Sequence, residues 1–295
     1  MNANTSKSLA SASAAEGGAN ARLWRIGAIV ALLANVAFNY LAGASRVLTV
    51  GHGTMEAISA RYGSLFTPAG YAFSIWGVIY AAFLVYAIAQ LRGRARALAL
   101  PDRLAKLLVA ANLLGSAWII AFQFEQVVLS EVIILATLGV AWVLHARATR
   151  AVAAGEVAPR WRWPFSLYLG WIVVANLACL SATLRALGSD LPLAPVWAIA
   201  LLAVAVGAGV LVALRTGDAL APLVVSWASV AIYVADRSVA PAVASTALVA
   251  AVLAAMAALV GGLGGRFSPS ARPGSENRPA GASPDDRRAP APRAT

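Results

Sequence analysis

Charged residues are scarce in this 295-residue sequence: they make up 12% of it, whereas hydrophobic types make up 60%. Soluble domains carry about 25% charged residues, because polar and charged groups have to cover the surface that faces water. The mean hydropathy of +0.75 agrees with this imbalance. The composition therefore excludes an ordinary water-soluble domain and predicts an integral membrane protein, for which lipid is the solvent of most of the chain.

Residues that commonly carry out chemistry are also few. Cys179 is the single cysteine, which excludes an intramolecular disulfide and a cysteine-based metal cluster. His52 and His145 are the two histidines, too few for a multi-histidine metal site or a credible Ser–His–Asp or Cys–His set. The sequence has no Walker loop that could bind ATP. It therefore predicts neither a bound metal nor an enzyme activity.

Long uncharged stretches dominate what the sequence does contain. A helix needs about 20 mostly apolar residues to cross about 30 Å of hydrocarbon. Eight stretches are candidates, with the fourth and seventh on the short side: 26–45, 62–90 with the helix beginning near Gly70, 107–124, 127–144, 163–184, 191–214, 219–235 and 239–265. The predicted fold class is an all-α integral membrane protein with eight spans.

The positions of Lys and Arg predict the orientation of these spans. If the N-terminus is cytoplasmic, 19 of the 23 basic residues fall in cytoplasmic loops and tails. Cytoplasmic loops of membrane proteins carry an excess of Lys and Arg, so we expect both termini in the cytoplasm and the chain in a bacterial inner membrane. The same distribution accounts for the net charge of +11 and argues against a nucleic-acid partner.

The two ends of the chain lack an apolar pattern. Residues 1–20 are mainly Ser, Ala, Asn and Gly, and residues 266–295 are rich in Pro, Arg, Ser and Ala. Neither segment can bury enough apolar surface to offset the entropy lost on ordering. We therefore expect both segments to be disordered.

A few polar residues interrupt the apolar spans. Asn35 and Asn39 lie one turn apart on the first helix, and Asn112 and Asn176 lie on the third and fifth. Such amides either join helices by hydrogen bonds or line a ligand cavity. Glu131 is the one carboxylate clearly inside a span, where ionisable residues suggest function. Its position near the outer interface, however, predicts that it reaches water.

Aromatic residues are the strongest local feature of the spans. On the second, third and fifth helices they recur at helical spacing: Tyr71, Phe73, Trp76 and Tyr80; Trp118 and Phe122; Tyr168 and Trp171. Rings that face the interior of a helical bundle can stack on a flat apolar ligand, and they can equally fill a core. The spacing leaves both interpretations open.

The segment 53–80 resembles the first loop and second helix of the tryptophan-rich sensory protein family, also called TspO/MBR or translocator proteins. The matching residues are Thr54, Ile58, Tyr62, Pro68, Phe73, Trp76 and Tyr80, while Tyr71 stands where the family usually has Trp. The third helix is similar to the family's Trp-Ser-x-x-Phe at 118–122. The fifth is similar to its Pro-Tyr-Leu-x-Trp-x-x-x-Ala, with Pro164 and the segment 168–175. Gly115 and Cys179 replace two family asparagines, for which Asn112 and Asn176 are candidate substitutes.

The resemblance covers residues 24–188 and implies a five-helix bundle that binds tetrapyrroles, sterols or similar apolar rings. The expected units are a disordered N-terminus (1–20), the TspO-like domain (21–188), a three-helix extension (189–265) and a disordered tail (266–295). The loop around Ile58 and Tyr62 would cover the non-cytoplasmic mouth of the pocket. The ligand-binding residues that we predict are Tyr71, Phe73, Trp76, Asn112, Trp118, Phe122, Trp171 and Ala175.

Two functions follow from these features. The first is a membrane sensor or facilitator that binds an apolar ring, with a porphyrin or haem as the bound molecule. The second is a secondary transporter of a small solute, favoured by Glu131 and the three extra helices but disfavoured by the scarcity of buried charge. The expected partners are the lipid bilayer and the apolar ligand, with a homodimer as an open alternative.

Overall fold

The structure is a computed structural model that describes residues 3–44, 51–53, 55–92 and 98–267. Within these residues the chain forms helices and no β-strand. The α-helices are α1 (Ala3–Phe38), α2 (Met55–Arg61), α3 (Ile75–Ala89), α4 (Ala99–Gln123), α5 (Val127–Ala153), α6 (Trp163–Ala186), α7 (Pro195–Thr216), α8 (Leu220–Asp236) and α9 (Pro241–Phe267). A π-helical turn, Asn39–Ala44, follows α1, and a 3-10 turn, Gly70–Ser74, precedes α3.

Local sequence signals explain several helix ends. Pro164, Pro195 and Pro241 occupy the first or second position of their helices, where a missing N–H costs nothing. Gly217 ends α7 with a φ of 60°, a left-handed conformation that glycine adopts without strain. The helix boundaries in the second half of the chain therefore follow from residues at or next to them.

Three helices are longer than the apolar pattern predicted. α4 begins at Ala99 rather than 107, α5 runs on to Ala153 rather than 144, and α1 begins at Ala3. The structure describes residues 3–20 as the first part of α1, whereas the sequence predicted disorder over 1–20. Polar residues can continue a helix beyond the apolar span, so hydropathy underestimates its length. The tail from residue 268 onward and Thr54 of the loop motif lie outside the described residues.

Seven of these helical stretches are long and apolar enough to cross a membrane. The predicted seventh span, α8, is apolar but has 17 residues and falls short of that length. It begins two residues after Asp218, whose side chain is buried. The eight apolar helices are present in the predicted order, and α8 differs from the others in length.

Five helices close into a ring in the order α1, α4, α5, α6, α3. The three remaining long helices, α7, α8 and α9, pack against one another, and α8 lies along α6 and contacts the turn before α3. Aromatic rings fill the contact between α3 and α6: Phe83 meets Phe165 and Tyr168 edge to face, with centroids 5.8 and 5.6 Å apart. The ring of five is the part of the molecule that holds the candidate site.

Buried amides join α1 to α4. The Asn35 amide donates to the side-chain oxygen of Asn112 over 3.1 Å, and the Ser116 hydroxyl donates to Asn35 over 2.9 Å. Asn39 adds a 3.3 Å hydrogen bond to Asn35 from one turn away. These residues satisfy one another in an apolar interior, so helix pairing accounts for the contacts they make.

Candidate functional site

A cavity open to the outside lies between α4 and α6 beneath the segment that connects α2 to α3. Its walls are almost entirely apolar and aromatic. The lining residues are Met55, Ser59, Tyr62, Thr67, Pro68, Phe73, Trp118, Phe122, Trp171, Val174, Ala175, Ala178, Cys179 and Ala182.

One face of α6 forms the longest wall of the cavity. Its residues recur three or four positions apart, at 171, 174, 175, 178, 179 and 182, which places them on one side of the helix. Trp171 is bulky and only 2% exposed, whereas Ala175, Ala178 and Ala182 are small. Small side chains below a large ring leave the empty space that the cavity occupies. This spacing was visible in the sequence and identifies lining residues that the motif comparison missed.

Aromatic rings from three elements meet at the cavity. Phe73, in the turn before α3, contacts Trp171 edge to face with centroids 6.0 Å apart. Trp118 and Phe122 of α4 stack with centroids 5.1 Å apart and ring planes inclined by 16°. The Trp171 indole N–H is buried and has no hydrogen-bond acceptor among the described residues. The site therefore offers flat apolar surfaces together with a donor whose hydrogen bond is not used.

Five of the eight predicted site residues line the cavity: Phe73, Trp118, Phe122, Trp171 and Ala175. Their role as ligand-binding residues stays a prediction. The other three are placed elsewhere by the tertiary structure, and each has a partner of its own.

Tyr71 lies on the far side of the turn before α3 and is 43% exposed. Its ring contacts Trp227 of α8 edge to face, with centroids 5.4 Å apart, rather than the cavity. Trp76 belongs to the aromatic contact between α3 and α6. There it stacks on Tyr80 and contacts Trp171 edge to face, with centroids 6.3 Å apart. The family resemblance placed both rings in the pocket, although Tyr71 stands where the family usually has Trp, but of Tyr71, Phe73 and Trp76 only Phe73 lines the cavity.

Asn112 is the third predicted site residue that does not line the cavity, because its amide group is committed to α1. It accepts from Asn35 and donates to the Leu108 carbonyl over 2.7 Å. Gly115 stands where the family has an asparagine, and the Asn35 amide lies next to it. A Cβ added at Gly115 would lie 3.5 Å from the Asn35 amide nitrogen. An amide from α1 thus occupies the space beside Gly115. Asn176 is buried and is absent from the cavity lining.

Glu125, in the turn between α4 and α5, binds Tyr62, a residue of the cavity lining. The Tyr62 hydroxyl donates to its Oε2 over 2.7 Å, Arg61 forms an ion pair with it, and the His52 Nδ1 lies 3.4 Å from its Oε1. The hydrogen bond from Tyr62 and the charge of Arg61 lower the pKa of Glu125, and the same hydrogen bond raises the pKa of Tyr62. Tyr62 lines the cavity and Ile58 is fully buried, so the loop packs over this end of the bundle, and its role as a cover stays a prediction.

Glu131 lies deeper than the sequence suggested. It is 9% exposed rather than accessible to water, because α5 turns it towards α6. Its carboxyl group interacts with the thiol of Cys179, a residue of the cavity wall. Its Oε2 is buried and has no hydrogen-bond partner among the described residues. One thiol therefore separates an acidic group from the cavity.

A second buried polar cluster lies at the opposite end of the bundle, around Asp218. His145 and Ser166 both bond its Oδ2, the imidazole Nε2 at 2.7 Å, and Arg162 lies 3.5 Å from the same oxygen. Arg162 also donates to the carbonyls of Thr216 and Gly217. A Ser–His–Asp triad requires His between Ser and Asp, whereas here the Ser166 hydroxyl donates directly to the carboxylate. The cluster joins α5 and α6 to the turn between α7 and α8 and does not activate a nucleophile.

Comparison with known proteins gives one family. The family model of TSPO-like proteins matches residues 25–260, which include α7, α8 and most of α9. The motif resemblance ended at residue 188 because its distinctive residues lie in the first five spans, whereas the match takes in the three additional helices. No curated protein and no solved structure matches the chain significantly. Because the match covers most of its 295 residues and the fold is an all-α bundle of membrane-length helices, this chain is a multi-pass membrane protein of the TSPO-like family.

Proposed function

We propose that the protein is a membrane sensor or facilitator that binds an apolar, ring-shaped molecule in the cavity between α4 and α6. The observation that carries this proposal is the aromatic and apolar lining of the cavity, with Phe73, Trp118, Phe122 and Trp171 brought together from three elements. Flat rings gain from both burial and stacking against Trp and Phe side chains. Family membership supports the same class of function.

A porphyrin or haem suits the chemistry of these walls. The stacked pair of Trp118 and Phe122 and the ring of Trp171 present aromatic surfaces, and the free indole N–H of Trp171 can donate to a ring nitrogen or a carbonyl oxygen. The alanines of α6 leave room beside these rings. The bound molecule would be a ligand rather than a resident cofactor, and we propose binding rather than catalysis as the activity.

The expected setting is a bacterial inner membrane with both termini in the cytoplasm. The distribution of Lys and Arg supports this orientation, since 19 of 23 fall on one side. The mouth beside Glu125 would then face away from the cytoplasm. Lipid surrounds the bundle, and a homodimer is compatible with this arrangement.

Replacing Trp171 by Leu tests the proposal. Leucine keeps most of the apolar volume but removes the ring, whose stacking is worth about 0.5–1.5 kcal/mol. We expect Trp171→Leu to weaken the affinity for protoporphyrin IX by about three- to tenfold. The measurement is a titration of the purified protein, followed by the porphyrin absorption band and by tryptophan fluorescence.

Trp24→Leu is the matched control. Trp24 is 37% exposed and lies under the Lys106 ammonium, 5.1 Å from the ring centroid, far along α1 from the mouth. Its replacement should leave porphyrin affinity unchanged. Equal affinities of the two variants, or a wild type that binds no porphyrin, would refute the pocket assignment.

A secondary transporter of a small solute is the second candidate, and Glu131 is the observation that favours it. Its carboxyl group is buried and one oxygen lacks a partner, as expected for a group that exchanges a proton or a cation during transport. Flux of a solute into liposomes that is abolished by Glu131→Gln, without saturable porphyrin binding, would favour this function over the first.

A further inference from the structure

We propose that the three-helix extension positions the segment that forms the mouth of the cavity, so that the site is formed before a ligand arrives. This mouth segment comprises residues 62–74, between α2 and α3. Trp227 of α8 is the positioning residue that we assign. The structural part of the inference stands by itself, and its consequence for ligand affinity rests on the proposed function.

Backbone hydrogen bonds tie the mouth segment to the extension at two points. The Leu65 N–H donates to the Pro192 carbonyl over 3.2 Å, just before α7. The Ala69 N–H donates to the Ala231 carbonyl of α8 over 3.1 Å. A non-helical segment next to a membrane needs partners for its N–H groups, and here the extension supplies them.

Trp227 adds a side-chain contact at the end of the segment. Its indole N–H donates to the Ala72 carbonyl over 3.3 Å, and its ring meets Tyr71 edge to face at 5.4 Å. Tyr71 is the predicted pocket residue that faces away from the cavity. With Tyr71 held on α8, Phe73, two residues further along the chain, lies against Trp171 on the cavity side.

The segment held in this way supplies a large part of the cavity lining. Tyr62, Thr67, Pro68 and Phe73 all belong to it. A loop that had to become ordered around each ligand would lose conformational entropy on binding, and this loss weakens affinity. Contacts that order the loop in the free protein remove that cost. The extension therefore acts on the site without lining it.

The extension can hold the loop because it is itself fixed to the five-helix ring. At Gly170 of α6 an added Cβ would lie 2.6 Å from the Ala221 carbonyl oxygen, so α6 and α8 touch backbone to backbone. The Asp218 cluster joins the same end of α8 to α5 and α6. Both attachments lie at the start of α8, and α8 packs along α6 from there, so Ala231 and Trp227 are held in register with the loop.

Hydrogen exchange of the unliganded, full-length protein in lipid nanodiscs tests the structural part directly. In the wild type we expect peptides covering 62–74 to exchange slowly. Trp227→Phe keeps a ring but removes the donor to Ala72, and should speed exchange there by about fivefold, as loss of one hydrogen bond predicts. Trp227→Ala should speed it further, while peptides of α5 and α9 stay unchanged and report that the fold is intact.

Trp197→Phe is the matched control. Trp197 also lies in the extension, but its N–H donates to Ser181 of α6 over 3.0 Å and not to the mouth segment. Its replacement should leave exchange of 62–74 unchanged. Fast exchange of this segment in the wild type, or no change in Trp227→Ala, would overturn the proposal, as would an equal change in Trp197→Phe.

A binding measurement separates this inference from the proposed function. If the wild type binds protoporphyrin IX, Trp227→Ala should weaken its affinity severalfold although Trp227 does not line the cavity. An unchanged affinity would refute the role in binding. If the wild type binds no porphyrin, the proposed ligand class is wrong, and the exchange rates alone decide whether the extension holds the loop.

Discussion

At the scale of single residues, the partners of a buried polar group determine whether it stabilises the fold. Asp218 is 1% exposed, yet its oxygens accept from His145, Ser166 and the Leu220 N–H, and Arg162 lies nearby. Burial alone would raise its pKa, but these hydrogen bonds and the Arg162 charge lower it to about 2. The folded state therefore favours the ionised carboxylate, and Asp218 stabilises the protein.

Asp218→Asn should lower the free energy of unfolding by at least about 2 kcal/mol at pH 7, the value of a pKa held nearly two units below its ordinary one. Because the folded-state pKa is lowered, the stabilisation is complete above about pH 4 and is lost as the pH falls towards 2. Unfolding of both proteins in detergent, measured between pH 7 and pH 2.5, checks this.

The surface pair of Arg185 and Asp190 provides the control for this prediction. Asp190 is 87% exposed in its side chain, and water screens such pairs. Asp190→Asn should change stability by less than about 1 kcal/mol. If Asp218→Asn were as mild as Asp190→Asn, or if its deficit grew towards acidic pH, the assignment of Asp218 would be wrong.

At the scale of helices, the amides between α1 and α4 show how a residue of one helix determines whether a residue of another is available to a ligand. Asn112 was predicted to bind ligand, but Asn35 reaches it from α1, and Gly115 leaves the space for Asn35 to do so. In an apolar environment an amide pair of this kind joins helices. Asn112 therefore pairs α4 with α1 and does not line the cavity.

Asn112→Leu should leave porphyrin affinity unchanged and lower stability by about 0.6–2 kcal/mol, the value of hydrogen bonds between membrane helices. Asn35→Leu should have an equal or larger effect, because Asn35 bonds Asn112, Ser116 and Asn39 together. Porphyrin titration and thermal unfolding in detergent measure the two quantities. A loss of affinity in Asn112→Leu at unchanged stability would restore Asn112 to the binding site.

At the scale of the whole molecule, the protein consists of a ring of five helices with a three-helix layer against α6. Seven of its helices have the length to cross a membrane and α8 is shorter. Since α8 packs against α6, α7 and α9, the layer is an integral part of the bundle. This agrees with a family match that continues through α8 and into α9.

Reporter fusions test the orientation of the bundle. With both termini in the cytoplasm, alkaline phosphatase fused after Phe267 should be inactive, and a fluorescent protein that folds only in the cytosol should be active there. The physical reason is the basic residues, 19 of 23 on one side. The same pair of reporters fused into the loop at Ser189 should give the reverse result. Phosphatase activity at Phe267 would contradict the orientation and the even number of crossings.

Spacing along one helix made much of the structure predictable. The composition required a membrane protein, the apolar runs located the helices, and Trp171 and Ala175 shared a face because four residues nearly complete a turn. The family resemblance, rather than the spacing, named Phe73, Trp118, Phe122 and Trp171 as pocket residues, and all four line the cavity. Tyr62 of the loop motif also lines the cavity.

Contacts between distant parts of the chain depended on the tertiary structure. Asn35 and Asn112 are 77 residues apart, His145 and Asp218 are 73 apart, and Trp227 and Ala72 are 155 apart. Hydropathy and helical period predict which face of a helix is polar or aromatic, but they do not predict which other helix that face contacts. The sequence by itself therefore determined the membrane class, the helices and the aromatic face of the site. Packing alone decided that Asn112 pairs with α1, that Tyr71 and Trp76 face away from the cavity, and that the extension holds its mouth.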